Sequence, residues 1–275
     1  MPAIKDWIST ATTQLSVAEI ISARLDAEVL LACAINKDRT YLHAHPEQIL
    51  DDQQTKDADG YLVKRLNRIP SAYITGYKEF YGRNFTVTPA TLIPRPESED
   101  IITILKSIVL PYSNSHIPIA NLIDIGTGSG CLGITAKLEF PNLDITLTDI
   151  SAEALEIASL NAKKLSANVS FLQNDLLKKY KGRPDIIIAN LPYVDRSWKR
   201  SPETNYEPTL ALFADDGGKA LINKLIIQAS KIMSPGSYLI IEADPEQHQD
   251  LINYARQHSF TIDQQANYIL VFKHQ

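Results

Sequence analysis

Apolar positions along the chain change their period twice. From Ile20 they recur at Ile21, Leu25, Val29, Leu30 and Cys33, the spacing that keeps one face of a helix apolar. Ser16-Val-Ala-Glu19 stands just before this run. It reads as a capping box, in which hydroxyl and carboxylate satisfy each other's helix-start amides. A further helix is predicted from Asp51 to Arg68, with Tyr61, Leu62, Leu66 and Ile69 on its apolar side. Lys64, Arg65 and Arg68 form a small basic cluster there. It reads as a solvated helix face, or alternatively as a docking patch for an acidic partner.

At Ala72 the pattern shifts. Ala72-Tyr-Ile-Thr75 and Asn84-Phe-Thr-Val-Thr88 are rich in β-branched and aromatic residues, punctuated by Gly76 and Gly82. They predict a hairpin. Pro89, Pro94 and Pro96 then stiffen a connector, which marks a domain boundary. After Glu97 the chain alternates. The expected elements are helix 97–110, a loop with Pro111, Asn114 and Pro118, strand 121–125, helix 131–140 and strand 145–148. Helix 152–165, strands 169–173 and 185–189, helix 218–233, strand 238–242, helix 245–258 and a strand near 268–272 follow. Strands alternating with helices predict a mostly parallel sheet covered on both faces. The expected organisation is a helical domain over 1–70, a β-hairpin linker over 71–96 and an α/β domain over 97–275.

Composition narrows this picture little. Of 275 residues, 44% are hydrophobic and 21% charged, which excludes a disordered or collagen-like chain. Lys and Arg number 27 against 32 Asp and Glu. A net charge of -5 argues against a protein held on nucleic acid by a broad basic face. Two cysteines, Cys33 and Cys131, make no disulfide framework and fit a reducing compartment. The opening residues lack a secretory apolar stretch, and no apolar run approaches the roughly 18 residues of a membrane span. A soluble, cytoplasmic protein is expected. His43-Ala-His45 is the closest histidine pair; it reads as a surface turn, and no metal site is expected.

The first chemical signal is Leu122-Ile-Asp-Ile-Gly-Thr-Gly-Ser-Gly130, an apolar strand that opens through a glycine loop into a helix. Such glycines allow a tight turn and close approach of a ligand to the backbone. Gly126, Gly128 and Gly130 are spaced G-x-G-x-G, and no Lys-Ser/Thr pair follows, so a nucleoside-triphosphate loop is excluded. Asp149 ends the next strand, where an acid accepts both hydroxyls of a ribose. Asp175 ends the third, where a carboxylate can accept from an adenine amino group. Asp124, on the first strand, fits the ammonium-bearing S-adenosylmethionine better than NAD.

The second signal is Asn190-Leu191-Pro192-Tyr193, closing the apolar strand that begins at Asp185. A planar nitrogen, in an amide or on a nucleobase, is a poor nucleophile because its lone pair is delocalised. The Asn190 side-chain carbonyl and the Leu191 backbone carbonyl can each accept one of its N–H groups. Pro192 rigidifies the loop, and Tyr193 can stack on the planar group. In-line attack on a sulfonium methyl is helped chiefly by such positioning.

At these residues the chain resembles the bacterial protein-(glutamine-N5) methyltransferases of peptide-chain release factors. Asp26-Ala-Glu-Val-Leu-Leu31, Lys37-Asp-Arg-Thr40, Tyr73-Ile-Thr-Gly-Tyr-Lys-Glu-Phe-Tyr-Gly82 and Leu92-Ile-Pro-Arg-Pro-Glu97 carry the resemblance. Ser201-Pro-Glu203 and Tyr206-Glu-Pro-Thr-Leu-Ala-Leu212 continue it. It implies a class I S-adenosylmethionine-dependent methyltransferase fold: Rossmann-like, with a seven-stranded mostly parallel sheet, a small N-terminal helical domain and a β-hairpin linker. It carries the donor loop onto Gly126, Thr127, Gly128, Ser129 and Gly130, the ribose acid onto Asp149 and the adenine side onto Asp175 and Leu176. The substrate-glutamine tetrad falls on Asn190, Leu191, Pro192 and Tyr193, with Asn190 also near the donor. The implied substrate is the glutamine of the Gly-Gly-Gln motif in class I release factors, taken by a monomer without stable nucleic-acid binding.

Three departures stand out. Leu191 replaces the usual first proline of Asn-Pro-Pro-Tyr, yet still offers its backbone carbonyl. Leu176 replaces a frequent aromatic, and 261–275 lacks the usual Gly- and Arg-containing turn. Asn-Leu-Pro-Tyr is also the form found in ribosomal-RNA adenine dimethyltransferases, so N6-adenine methylation is the alternative. The acidic balance, the long segment before the donor loop and Ile93-Pro-Arg-Pro-Glu97 oppose it.

Overall fold

The computed structural model describes residues 1–112 and 121–275. The expected loop at Asn114 and Pro118 lies outside the described residues. By its contacts the chain divides into two units. One comprises Met1–Tyr77 with Ser201–Tyr206, the other Lys78–Arg200 with Glu207–Gln275.

The first unit contains α1 (Ile4–Val17), α2 (Ala23–Ala34), α3 (Arg39–Ala44), α4 (Asp52–Leu66) and α5 (Ser71–Thr75). Ile4, Trp7, Ile8, Ala11 and Leu15 give α1 one buried face, packed on Ala23, Ala27, Leu30 and Leu31 of α2. The helical period therefore starts earlier than Ser16. Ser16 lies inside α1, and Glu19 takes a positive φ of 55° in the connection. Ile21 and Leu25, expected on the apolar face, are exposed. A capping box exists instead at α4, where Asp51 accepts from the Gln54 N–H and Gln54 accepts from the Asp51 N–H.

Of the basic cluster only Lys64 is exposed. Arg65 is only 4% exposed. Its Nε donates to Asp26 at 2.7 Å and its Nη2 to Glu203 at 2.8 Å. Arg68 also donates to Glu203, and to the Ala18 carbonyl. Burial pushes the Glu203 pKa up, but hydrogen bonds from Ser201, Arg65 and Arg68 outweigh it and hold it at about 2. Tyr206 donates to the Asn67 carbonyl at 2.6 Å. Paired charges of this kind account for the tight hold on Ser201–Tyr206.

The expected hairpin shifts along the chain. Ala72–Thr75 is helical, in α5, which follows Pro70 and ends at Gly76 with φ 80°. A proline before the first turn and a left-handed glycine after the last are helix boundaries, and they override a β-rich composition over so short a run. The hairpin is β1 (Tyr77–Phe80) with β2 (Arg83–Thr86).

A 3-10 turn at Pro96–Ser98 leads into α6 (Glu99–Tyr112), which includes Pro111 at its end. Then come β3 (Asn121–Ile125), α7 (Cys131–Glu139), β4 (Asp144–Asp149), α8 (Ala152–Lys164), β5 (Ser170–Gln173), β6 (Ile186–Ala189), α9 (Thr209–Leu212) and α10 (Ala220–Ile232). β7 (Tyr238–Glu242), α11 (His248–Arg256), β8 (Phe260–Ala266) and β9 (Ile269–His274) finish the chain. The seven strands lie in the order β5-β4-β3-β6-β7-β9-β8. All neighbours are parallel except at β9, which runs antiparallel to β7 and β8. β8 escaped the hydrophobic pattern because it is a sheet edge carrying Asp263, Gln264 and Gln265 toward solvent.

Side chains alternate between two buried layers, as the pleat requires. Leu122, Ile186, Ile188 and Ile240 face one side with α6 and α7. Ile123, Ile187, Leu239 and Ile241 face the other with α10 and α11. Central strands buried on both faces explain the unbroken Ile186-Ile-Ile-Ala189 run. Ile125 of β3 pairs in register with Ala189 of β6. The chain reverses its direction of progress across the sheet between these two strands, so the loops leaving them stand side by side at a switch point. Among the described residues no helix is long and apolar enough to cross a membrane.

Candidate active site

The C-terminal ends of β3, β4 and β6 wall a cavity of about 350 Å³, a size suited to a small-molecule ligand. Gly126 leaves β3 with φ 71°. A Cβ there would stand 2.9 Å from Leu191 Cδ2, so a larger residue would have to displace the Leu191 side chain from the meeting point of the two loops. Gly130 has φ 82°, and a Cβ on it would meet Ile134 Cδ1 at 2.6 Å. The loop must be this lean to turn directly from strand into α7.

Asp149 closes β4 on the cavity wall. Its Oδ2 accepts from the Gly128 N–H and its Oδ1 from the Ser151 N–H, both at 2.9 Å. Burial raises its pKa, while the Ser151 and Gly128 N–H groups pull it back. Each oxygen keeps a lone pair for a further donor, which is what two vicinal hydroxyls offer. Asp175 and Leu176 also line the cavity. Asp175 is engaged by Lys178 at 2.5 Å and Lys224 at 2.9 Å, and these hydrogen bonds hold its pKa low. Leu176 is buried with φ 53° and offers an apolar wall.

Asp124 does not take the expected place beside a ligand ammonium. It is not among the cavity-lining residues. Its Oδ2 accepts from Thr127 Oγ1 at 2.6 Å and from the Gly133 N–H at 3.0 Å. The pleat turns it into the layer beneath α7, so it braces the glycine loop from below. Burial, with Asp149 nearby, raises its pKa to about 6 against the Thr127 and Gly133 hydrogen bonds. Cys131 lines the cavity, but burial and the Asp124 charge push its thiol up to about 12. A thiol held protonated is no nucleophile.

Asn190, Leu191 and Pro192 line the cavity; Tyr193 does not. The Asn190 Nδ2 donates to Ser98 Oγ at 2.9 Å. Among the described residues nothing donates to its Oδ1. The Tyr193 hydroxyl donates to Glu242 at 3.1 Å, and burial raises its pKa. The sequence reading missed Ser98, Glu242 and the Arg95–Glu207 pair. Arg95 Nη2 donates to Glu207 at 2.6 Å, and the Ile93 N–H donates to its other oxygen at 3.1 Å. That pair fixes the proline-rich stretch beside Pro208–Ala211, both on the cavity wall. Glu242 did carry a signal: like Asp149, it is an acid at the end of an apolar strand.

S-adenosylmethionine suits these residues. Gly128 lines the cavity with φ 55° and open space where a Cβ would stand, and Asp149 on the same wall keeps half its carboxylate acceptor capacity free.

Known proteins concur. Residues 6–76 match the family described as PrmC N-terminal domain, and residues 109–204 the family described as methyltransferase small domain. A release factor glutamine methyltransferase of Koribacter versatilis is 38% identical, with 88% of this chain and 88% of that protein covered. Its counterpart from Leptospira interrogans is 36% identical, over 87% and 85%. Among solved structures, a methyltransferase from Pyrococcus furiosus overlays with a TM-score of 0.53 at 18% identity, covering 76% of this chain and 98% of its own. That likeness supports the fold. With identity of this order over most of its length, the chain belongs to the release factor glutamine methyltransferase family.

Proposed function

We propose that this protein transfers one methyl group from S-adenosylmethionine to the side-chain amide nitrogen of the glutamine in the Gly-Gly-Gln motif of class I peptide-chain release factors. The observation that carries this reading is Asn190. Its Nδ2 is committed to Ser98, so its Oδ1 faces the cavity as an acceptor beside the glycine loop.

S-adenosylmethionine supplies an electrophilic methyl group on a sulfonium. Asp149 would accept the ribose hydroxyls, and the loop Gly126–Gly130 with Asp175 and Leu176 would hold the rest of the donor. The Asn190 Oδ1 and the Leu191 carbonyl accept the two N–H groups of the glutamine amide. Two acceptors draw the nitrogen out of conjugation and hold it in line with the methyl group. Pro192 limits the freedom of the Leu191 carbonyl, and Tyr193 supports the loop from outside the cavity. A primary amide has two N–H groups to give and its methylated product one, so the site selects for a single transfer. One side chain is too small a contact for protein-level specificity. The N-terminal unit is therefore assigned the recognition of the release factor, by a monomer acting on protein and not on nucleic acid.

Mass spectrometry of a release factor incubated with this protein and S-adenosylmethionine tests the reading. One added methyl on the Gly-Gly-Gln glutamine is expected, and Asn190→Ala should abolish most of it while donor affinity stays within a few-fold. An unmodified peptide with donor binding intact refutes the substrate assignment.

A further inference from the structure

Glu242 ends β7, and its Cα partner across the ladder is Ile269. It is 1% exposed, and no lysine or arginine pairs with it among the described residues. Its strand parity turns it toward the layer of α6, where Ser98, also 1% exposed, precedes the helix. Ser98 Oγ donates to Glu242 Oε2 at 2.5 Å, and Tyr193 donates to Oε1 at 3.1 Å. Asn190 Nδ2 donates to the same Ser98 oxygen. Burial, helped by Glu97, pushes the Glu242 pKa up, while hydrogen bonds from Ser98 and Tyr193 oppose it. A buried carboxylate without a counter-charge is costly. Packing alone gives no reason to keep one on an apolar strand.

We infer that Glu242 is a positioning residue, which acts through Ser98 to lock Asn190 with its carbonyl oxygen toward the substrate. The inference rests on the amide-methylation reading. Glu242 accepts at both oxygens, from Ser98 and from Tyr193. Ser98 has one hydroxyl hydrogen to donate, and it goes to Glu242. The Ser98 lone pairs then face Asn190, so only the Asn190 NH₂ satisfies that contact. Without Glu242 the hydroxyl is free to rotate and donate to Asn190 Oδ1. The side-chain amide then flips and presents its own N–H groups to the substrate amide, donor against donor. The same carboxylate lies three hydrogen bonds from a nitrogen that gains positive charge as the methyl arrives, which favours transfer.

The test is Glu242→Gln in the full chain, isosteric but able to donate. The readouts are kcat and KM for the release factor, donor affinity by calorimetry and thermal melting. We expect kcat to fall roughly 10–100-fold, the loss of one oriented hydrogen bond, with donor affinity within about three-fold and melting unchanged or raised. Ser98→Ala should lower kcat similarly, and the two together should lower it little further, since they break one relay. A wild-type kcat in Glu242→Gln overturns the inference. So does a kcat loss matched by lost donor binding and lower melting, the mark of a merely structural role. Failure of the wild-type protein to methylate the release factor would instead refute the function from which the inference starts.

Discussion

Replacing Gly126 by alanine tests the idea that the glycine loop and the Asn190–Tyr193 loop are built to touch. Two costs follow from the geometry. Gly126 has φ 71°, and an L-residue in the left-handed region costs about 1–2 kcal/mol. The new Cβ would also sit 2.9 Å from Leu191 Cδ2, closer than real Cβ atoms approach. Relieving such overpacking costs about 1–3 kcal/mol. The total is about 2–5 kcal/mol, or a urea midpoint lowered by about 1 M at an m-value near 3 kcal/mol/M. The side chain that yields is Leu191, whose backbone carbonyl is assigned to the substrate amide. A displacement approaching 1 Å lowers turnover by up to about 100-fold. Circular dichroism in urea gives the first quantity and release factor methylation the second. Leu191→Ala separates the two causes. In its background Gly126→Ala should retain only the backbone cost, leaving a coupling of about 1–3 kcal/mol between the sites. No coupling, or a Gly126→Ala protein with wild-type midpoint and turnover, would refute the steric argument.

Other outcomes follow from the same geometry. Asp149→Ala should weaken donor binding by at least ten-fold, since it removes a ribose acceptor and frees the Gly128 N–H; calorimetry with S-adenosylmethionine checks it, and an unchanged affinity removes Asp149 from that role. Arg65→Ala leaves buried Asp26 without its guanidinium partner, and breaking a buried pair from one side costs about 3–5 kcal/mol. Trp7 lies in the core of the first unit, so its fluorescence in a Trp198→Phe background reports that loss, and a shift under 1 kcal/mol contradicts it. Because Glu203 is held at about 2, below its ordinary value of 4.5, its contribution to stability is present above pH 4.5 and is lost as the pH falls through about 2. Acid unfolding followed by Trp7 should show this, and Glu203→Gln should flatten the dependence below pH 4.5.

Local sequence was enough wherever a short-range rule decides the outcome. The apolar run at 186–189 and the glycines at 126, 128 and 130 announce a central parallel strand and a strand-to-helix loop, because periodicity and positive φ are properties of neighbouring residues. Element boundaries were weaker. Ala72–Thr75 looks like strand by composition but is helix, because Pro70 and Gly76 frame it. The edge strand β8 carries only Phe260 and Ile262 before the polar Asp263-Gln-Gln265, too short an apolar trace to announce a strand.

What the sequence determined by itself is therefore the alternating α/β order, the glycine loop with Asp149 at the next strand end, and an Asn-Leu-Pro-Tyr turn at the end of a buried strand. Tertiary structure decided the rest. Register pairing of Ile125 with Ala189 brings the glycine loop against the Asn190–Tyr193 loop. Strand parity sends Asp124 below the loop, away from the ligand. It also sets Glu242 behind Ser98, where its charge fixes which way Asn190 points. Arg65, one member of an apparently solvated basic cluster, becomes the buried partner of Asp26 and Glu203. Which strands are neighbours, and which polar groups end up without water, depends on long-range packing, and no local pattern in the chain encodes it.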